Sequence, residues 1–282
     1  MKALKKALKK AGFIIATIVF LIFTVGPFIW TFIISVSPKA QLFMPDTRFF
    51  PDNFTWDNYV TIFSGTRKGS AFFTGLGNSF RAVVVTLAIG LPVAMMSGYA
   101  LSRMEFPGRK LIKNALLITM VIPVMATIIP IYRMFAAGKM LDNMFWLCVI
   151  YVSSYLPMAT WMITNYLSTI PKELEEAALI DGCGQMGAFM RVILPLSYPI
   201  LISVTLIMFL STWSQFQIPL ILASSMKTKP MAIVISEFVT KDSVEYGLIA
   251  AAGLISIIPP ALAAVIFRKY LISGMVSGSV KG

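Results

Sequence analysis

The segment 168–198 holds the residues whose types and spacing best suit recognition of another protein. It predicts a short helix followed by a glycine turn, and the candidate contact residues are Glu176, Ala177, Ala178, Asp181 and Gly182. A carboxylate accepts hydrogen bonds or pairs with a basic group, and small alanine side chains let another surface approach the helix closely. Glycine allows a turn conformation that other residues rarely adopt. The chemistry indicated is binding, not bond-making.

The helix in this segment has clear expected limits. Ser168 or Thr169 can cap its start, and Pro171 suits its first turn. Gly182 and Gly184 are expected to end it with backbone freedom that other residues lack, and a second amphipathic turn is expected to stop at Pro195. The two helical turns would form a projection close to the membrane, suited to a groove on a partner protein.

A second group of residues could contact a solute. Aromatic rings stack on the apolar face of a sugar, and amides pair with hydroxyl groups. The main candidates are Trp213, Gln215, Phe216 and Gln217, with Ser153, Ser154 and Tyr155 as secondary ones. Polar residues in membrane helices also hold helices together, so helix packing is the alternative role for each of them.

Several kinds of chemistry are excluded by the sequence. It has no histidine, which excludes imidazole catalysis and histidine metal ligands. It has no G-x-x-x-x-G-K-[ST] pattern, and so no phosphate-binding loop of that type. Cys148 and Cys183 are predicted to lie in a membrane span and an internal loop, as small apolar residues and not as a disulfide. We predict no catalytic residue, metal site or cofactor in this chain.

The composition indicates a membrane protein. Of the 282 residues, 57% are hydrophobic and 13% charged, against roughly 25% charged in an ordinary soluble domain. A spanning helix needs about 20 apolar residues. Six runs meet this requirement, and they are residues 13–36, 81–101, 111–135, 145–167, 199–222 and 247–267. The expected fold is an all-α integral membrane protein with about six transmembrane helices in a single membrane domain, residues 1–282.

The net charge of +12 is distributed between the apolar runs. This distribution is typical of loops that flank membrane helices, and it argues against a nucleic-acid partner. Lysine and arginine are concentrated in the first ten residues, in the loop near Arg109 and after Phe267. Both termini and the segment 168–198 are therefore predicted to be cytoplasmic.

The predicted spans lack acidic residues but contain prolines. A proton-coupled transporter normally keeps an ionisable side chain at membrane depth to relay protons. The absence of acidic residues from the predicted spans therefore argues against that class, while a sodium-coupled transporter remains an alternative. Each predicted span contains proline, and Pro123, Pro130 and Pro157 are examples. The spans form either a merely kinked bundle or a set of broken helices around a polar path.

A characteristic spacing of residues runs through the stretch 176–199, formed by Glu176, Ala177, Ala178, Asp181, Gly182, Phe189, Ile193, Leu194, Pro195 and Pro199. This spacing resembles the EAA loop of binding-protein-dependent ABC importer permeases. The stretches 98–110, 155–182 and 212–222 and the tail from Ser273 look like carbohydrate importers, with the second permease subunit of maltose-type systems as the nearest pattern. The resemblance runs from Gly26 to Gly282. One departure is Ser214-Gln215, where the family commonly has asparagine and an acidic residue, which leaves the solute open.

The resemblance implies an ABC type I importer permease fold in a bacterial cytoplasmic (inner) membrane. It also implies a second permease subunit forming a heterodimer, an ATPase dimer that binds ATP and magnesium, and an extracytoplasmic solute-binding protein. The coupling helix in the EAA loop would contact the ATPase, and the loop 223–246 would face the binding protein. The tail beyond Gly274 either reaches the ATPase subunits or is dispensable.

Three functions follow as expectations. The first is import of a sugar or oligosaccharide, with the chain alternating between inward-open and outward-open states. The second is the same machinery for a polyol, glycerol phosphate or acidic oligosaccharide. The third is a secondary transporter or a non-transporting membrane anchor, which a stable complex with an ATPase would argue against.

Overall fold

A computed structural model of the protein describes residues 2–43, 49–239 and 244–276. The helices are α1 (Lys2–Ser35), α2 (Asp57–Phe63), α3 (Arg67–Arg103), α4 (Arg109–Val121), α5 (Val124–Ala137), α6 (Met144–Leu167), α7 (Glu173–Ile180), α8 (Gln185–Ala188), α9 (Leu194–Leu196), α10 (Tyr198–Trp213), α11 (Gln217–Leu222), α12 (Met231–Ser236) and α13 (Tyr246–Val276). A π-helical turn, Phe189–Ile193, connects α8 to α9. The architecture is all-α, as the sequence predicts.

Four helices are long and apolar enough to cross a membrane without a break. They are α1 (from Lys9), α3, α6 and α13 (to Arg268). Two bent pairs pass the same test together, α4 with α5 and the stretch Gln185–Leu196 with α10. The described residues therefore contain four to six candidate spans, and the predicted 13–36, 81–101, 145–167 and 247–267 correspond to the unbroken ones.

The third predicted span, 111–135, is broken. α4 and α5 meet at an angle of 98°, and the backbone is extended at Ile122 and Pro123 between them. Proline disfavours a helical conformation in the residue before it, which accounts for the break. Pro130 and Pro157, in contrast, lie inside continuous helices.

The fifth predicted span, 199–222, is also broken. α10 ends at Trp213 and α11 begins at Gln217, so residues 214–216 leave the helix. The break falls on the polar stretch that the sequence singles out as a candidate solute contact. Broken helices of this kind line binding sites in many transporters.

The chain divides into two compact units, Met1–Phe73 with Val234–Ile258, and Thr74–Ile233 with Pro259–Gly282. In the first unit, Glu245 forms ion pairs with Lys39 and Lys68, and Asn58 donates to the Ser35 carbonyl. The prediction of one membrane domain over residues 1–282 stays a prediction.

The core of the second unit brings α3, α6 and α10 together. Ile163 and Leu167 of α6 are fully buried, and they pack with Met95 of α3 and Met208 of α10. The same cluster includes Phe189 from the segment after α7. The membrane helices and the predicted cytoplasmic segment therefore share one apolar core.

Candidate functional site

The helix in the predicted contact segment begins later than expected. α7 starts at Glu173, and no side chain caps it. The hydroxyl groups of Ser168 and Thr169 instead donate to the carbonyls of Thr164 and Tyr166 at the end of α6. The expectation that either residue caps this helix is wrong, because the preceding helix uses both hydroxyls.

Gly182 ends α7 in the left-handed conformation, with φ of +85°. The Gly182 amide donates to the Leu179 carbonyl, and the Cys183 amide donates to the Ala178 carbonyl. This pair of bonds is the Schellman arrangement, which satisfies carbonyls at a helix end. Gly184 has φ of −70° and ψ of 170°, which any residue can adopt, so the expectation that it also supplies glycine freedom is wrong.

The second helical turn also ends differently from the expectation. Helical structure continues past Pro195 to Leu196, and the chain turns at the buried Ser197. The π-helical turn just before Pro195 gives the physical reason. A proline lacks an amide donor and clashes with the carbonyl four residues earlier, and a widened turn accommodates both effects.

The predicted contact residues do not all face outward. Glu176, Ala177, Asp181 and Gly182 are exposed, whereas Ala178 is 8% exposed. Large apolar side chains accompany them at the surface, and Ile180 is 87% exposed. A short helix that exposes apolar side chains away from the candidate spans is suited to contact with another protein.

Three residues that the sequence does not single out as a site meet on the inner face of α7. Tyr99 and Arg103 of α3 both contact the Glu175 carboxylate. We call these three residues the Glu175 cluster. Tyr99 and Arg103 are spaced i and i+4 on one helix, which indicates a shared face but not their partner.

The structure brings two of the predicted solute-path residues together. Gln215 Nε2 donates to Tyr155 Oη at 2.9 Å, and Tyr155 Oη donates to the Ser211 carbonyl at 3.0 Å. Gln215 Oε1 accepts from the amides of Phe216 and Gln217 at 3.0 and 3.2 Å. Gln215 therefore connects the break between α10 and α11 to α6 through Tyr155, and it holds the backbone of the break through the amides of Phe216 and Gln217.

The remaining path candidates differ in exposure. Phe216, Gln217, Ser153 and Ser154 are exposed, and the Ser154 hydroxyl donates to the Ile150 carbonyl of its own helix. Trp213 is 7% exposed and packs against Phe80 and Phe209 with ring centroids 4.9 and 5.8 Å apart. This placement leaves Trp213 inside the second unit and not at its surface.

The crevice beside Tyr155 is small. It lies between α6 and α10, has a volume of about 20 Å³, and includes Met158 and Ser211 in its lining. Such a volume holds about one water molecule. This crevice therefore does not enclose a sugar.

A second polar cluster, which sequence reasoning missed, holds the segment after α11. Asp142 Oδ1 accepts from the amides of Ser224 and Ser225 at 3.1 and 2.9 Å and from the Thr228 hydroxyl. Burial raises the pKa of Asp142, but these hydrogen bonds outweigh that effect and hold its pKa at about 2. Asp142 is thus a charged anchor for this segment.

Two further side chains hold the same segment. Asn78 Nδ2 donates to the carbonyls of Met226 and Lys229 at 2.9 and 3.0 Å, and Ser79 Oγ accepts from the Met231 amide at 2.9 Å. These contacts fix one part of the predicted outer loop 223–246. The expected contacts of the tail beyond Gly274 stay a prediction, since residues 277–282 of that tail lie outside the described residues.

Comparisons with known proteins place this arrangement in a family. Residues 90–277 match the family described as "Binding-protein-dependent transport system inner membrane component". The trehalose transport system permease protein SugB of Mycobacterium tuberculosis is 30% identical over 91% of this chain and 92% of its own. The trehalose/maltose transport system permease protein MalG of Thermococcus litoralis is 29% identical over 99% of both chains.

A solved structure supports the fold. The chain is similar to a subunit of a bacterial ABC transporter involved in the import of the acidic polysaccharide alginate, with a TM-score of 0.78. The two are 22% identical over 93% of this chain and 96% of the other. Together with the apolar spans and the segment 168–198, the matches show that this multi-pass membrane protein belongs to the family of binding-protein-dependent transport system inner membrane components.

Proposed function

We propose that the chain is one of two permease subunits of an ATP-driven importer for a sugar or oligosaccharide. The solute class is supported by the trehalose and maltose systems among its relatives. It is also supported by Phe216 and Gln217, exposed beside the helix break, since aromatic and amide groups suit sugar hydroxyls and ring faces. The partner permease would complete the solute contacts, because the crevice beside Tyr155 is too small for a sugar.

The observation that best supports ATP-driven transport is the exposed apolar surface of α7. Leu174, Leu179 and Ile180 are exposed on a helix that lies outside the candidate spans. Water is a poor environment for an apolar side chain as exposed as Ile180, and a groove on another protein would cover it. We infer that this groove belongs to an ATPase subunit, with Glu176, Ala177, Asp181 and Gly182 in the contact.

The remaining partners follow from the same proposal. ATP and magnesium would bind to an ATPase dimer, since this sequence has no phosphate-binding loop of the G-x-x-x-x-G-K-[ST] type. Both termini and α7 would lie in the cytoplasm, on the side with more lysine and arginine. The segment held by Asp142 and Asn78 would lie on the opposite side, facing the solute-binding protein.

In this mechanism, closure of the ATPase subunits moves α7, and the membrane helices change between inward-open and outward-open states. Rigid-body movement of packed helices is a common form of such transitions. The shared core of α3, α6, α10 and Phe189 supports movement of these helices together. The break at residues 214–216 would place Gln215 and its neighbours beside the solute.

The test is purification of the complex from cells that contain the neighbouring transporter genes, followed by reconstitution into nanodiscs. ATPase activity is then measured with binding protein loaded with a panel of sugars, polyols, glycerol phosphate and acidic oligosaccharides. We expect an ATPase to co-purify and one loaded binding protein to stimulate it. Absence of any co-purified ATPase would contradict the proposal and favour a membrane anchor or a secondary transporter.

A further inference from the structure

The α7 side chains that pack against the rest of this chain lie on a narrow face of the helix. Among the residues of this helix, Glu175 and Ala178 are the ones that are not exposed. They are spaced i and i+3, so they lie on the same side of the helix. The opposite side, which includes Glu176 and Ile180, is free to contact a partner. Movement applied to α7 must therefore reach the membrane helices largely through this face.

Glu175 makes the polar contacts on that face. Tyr99 Oη donates a hydrogen bond to Glu175 Oε1, and Arg103 Nε lies 3.4 Å from Glu175 Oε2. Arg103 Nη2 also donates to the Ile170 carbonyl, just before α7, at 2.8 Å. The Arg103 and Glu175 side chains are 6% and 14% exposed. One end of α3 therefore contacts both α7 and the chain leading into it.

A buried ion pair is difficult to separate. Removing either charge leaves the other without its partner in a poorly solvated position, which costs far more than breaking an exposed pair. Glu175 and Arg103 are thus expected to stay together when α7 moves, and Tyr99 adds a second bond to the same carboxylate. The Glu175 cluster therefore connects α7 directly to the end of α3.

The end of α3 is in turn packed tightly against other membrane helices. A Cβ atom on Gly98 would lie 2.6 Å from Ile163 Cγ2, so α3 and α6 approach as closely as a glycine allows. The Tyr99 ring packs edge-on against Phe189 at 4.8 Å between centroids. A displacement of Glu175 is therefore passed to α3 and from there to α6.

We propose that Tyr99, Arg103 and Glu175 are positioning residues that transmit movement of α7 to the membrane helices, and so couple ATP hydrolysis to solute movement. The proposal rests on the proposed function, since it assigns to the cluster the step between the ATPase contact and the transport path. Glu175 lies one residue before the ATPase contact, but it faces the opposite way and has a separate role. Energetic coupling between distant sites is carried by packed side chains and networks of hydrogen bonds and ion pairs, and the cluster and Gly98 provide such a set of contacts.

The test compares variants of the complete complex with its ATPase subunits, partner permease and binding protein in proteoliposomes. Tyr99→Phe removes one hydroxyl and keeps the ring contact with Phe189. The double variant Arg103→Gln/Glu175→Gln removes both charges, so that neither is left buried and unpaired. Glu173→Gln, at an exposed position of the same helix, is the matched control. The measured quantity is solute imported per ATP hydrolysed, together with the amount of ATPase that co-purifies.

We expect both cluster variants to retain the ATPase subunits and to hydrolyse ATP, while solute imported per ATP falls about fivefold or more. The Glu173→Gln complex should keep the wild-type ratio. A wild-type ratio in both cluster variants overturns the proposal, as does a loss of ATPase subunits with a normal ratio in the complexes that remain. Failure of the proposed function would look different, because the wild-type chain itself would then purify without an ATPase.

Discussion

Gln215 and Tyr155 form a hydrogen bond of 2.9 Å between the break after α10 and the middle of α6, although 60 residues separate them in the chain. The Tyr155 hydroxyl in turn donates a hydrogen bond to the Ser211 carbonyl in the last turn of α10. The bond therefore fixes the position of the break relative to two membrane helices. It explains how a polar, non-helical stretch can persist within an otherwise apolar run.

Tyr155→Phe tests whether this bond positions the solute site. The variant loses the donor to Ser211 and the acceptor for Gln215, which should loosen the break while the aromatic core is kept. We expect the complex to assemble and the solute concentration for half-maximal uptake to rise about fivefold to thirtyfold, since the two lost hydrogen bonds together contribute about 1–2 kcal/mol.

The control for this variant is Ser154→Ala. The Ser154 hydroxyl bonds within its own helix, so its loss should change uptake little. The measurement is uptake into proteoliposomes over a range of concentrations of loaded binding protein and solute. Equal half-maximal concentrations for Tyr155→Phe and wild type would show that the bond has no role in positioning.

Trp213→Ala distinguishes packing from solute stacking. Trp213 is buried against Phe80 and Phe209, so removal of its ring should destabilise the protein by about 3–5 kcal/mol. The expected result is a lower midpoint of thermal unfolding in nanodiscs, with near-normal uptake kinetics in the fraction that stays folded. Phe216→Ala, at an exposed position, should keep a normal unfolding midpoint and change the uptake kinetics. A normal unfolding midpoint for Trp213→Ala would argue against the packing role.

Gly182→Ala should impair the coupling of ATP hydrolysis to transport. The cause is the backbone conformation, which alanine disfavours, and not a steric clash. A Cβ atom here meets open space, but φ of +85° costs an alanine about 1–2 kcal/mol. Helix α7 is expected to end differently, so that binding-protein-stimulated ATPase and uptake fall severalfold and a bulkier residue abolishes transport. Gly184→Ala, whose backbone angles suit any residue, is the control. Full transport by a bulky Gly182 variant would contradict the assignment.

Gly98→Ala tests the close approach of α3 and α6. The new Cβ atom would lie 2.6 Å from Ile163 Cγ2 and 2.9 Å from Ile163 Cβ, which forces the helices apart. We expect a loss of about 1–3 kcal/mol in stability, as for other overpacked cores, seen as a lower unfolding midpoint. The second change Ile163→Ala should recover part of this loss. Gly77→Ala, where the added atom has open space, should be neutral.

Asp142→Asn should release the segment after α11, and the effect of the substitution should shrink as the pH falls. The Asp142 pKa of about 2 lies below the ordinary 3.8, so its stabilising contribution is present above that ordinary value and is lost as the pH falls through the folded-state value. We expect pepsin to cleave residues 223–231 faster in the variant at about pH 4, and the difference to shrink near about pH 2. Asp57→Asn is the exposed control, and equal cleavage at both pH values would show that Asp142 does not hold the segment.

Much of the site could be predicted from local patterns. The run 145–167 predicted α6, observed at Met144–Leu167, because continuous apolar character is a local property. Gly182 could be predicted for the same reason, since a helix end with left-handed geometry depends on the residue at that position. The family could also be identified from the spacing of Glu176, Ala177, Ala178 and Gly182, and the match over residues 90–277 confirms it.

Only the tertiary structure decided which polar residues meet. Glu175 and Tyr99 are 76 residues apart, and Asp142 and Thr228 are 86 apart, so no helical period connects them. Tertiary packing likewise placed Trp213 inside the second unit, although its residue type is equally suited to a sugar. Hydropathy and residue spacing are local properties of one helical turn or one span. The contacts named above depend instead on how α3, α6 and α10 and the segments that connect them pack. The sequence by itself therefore determined the membrane class and the short helix in the segment 168–198, and packing determined which side chains connect that helix to α3.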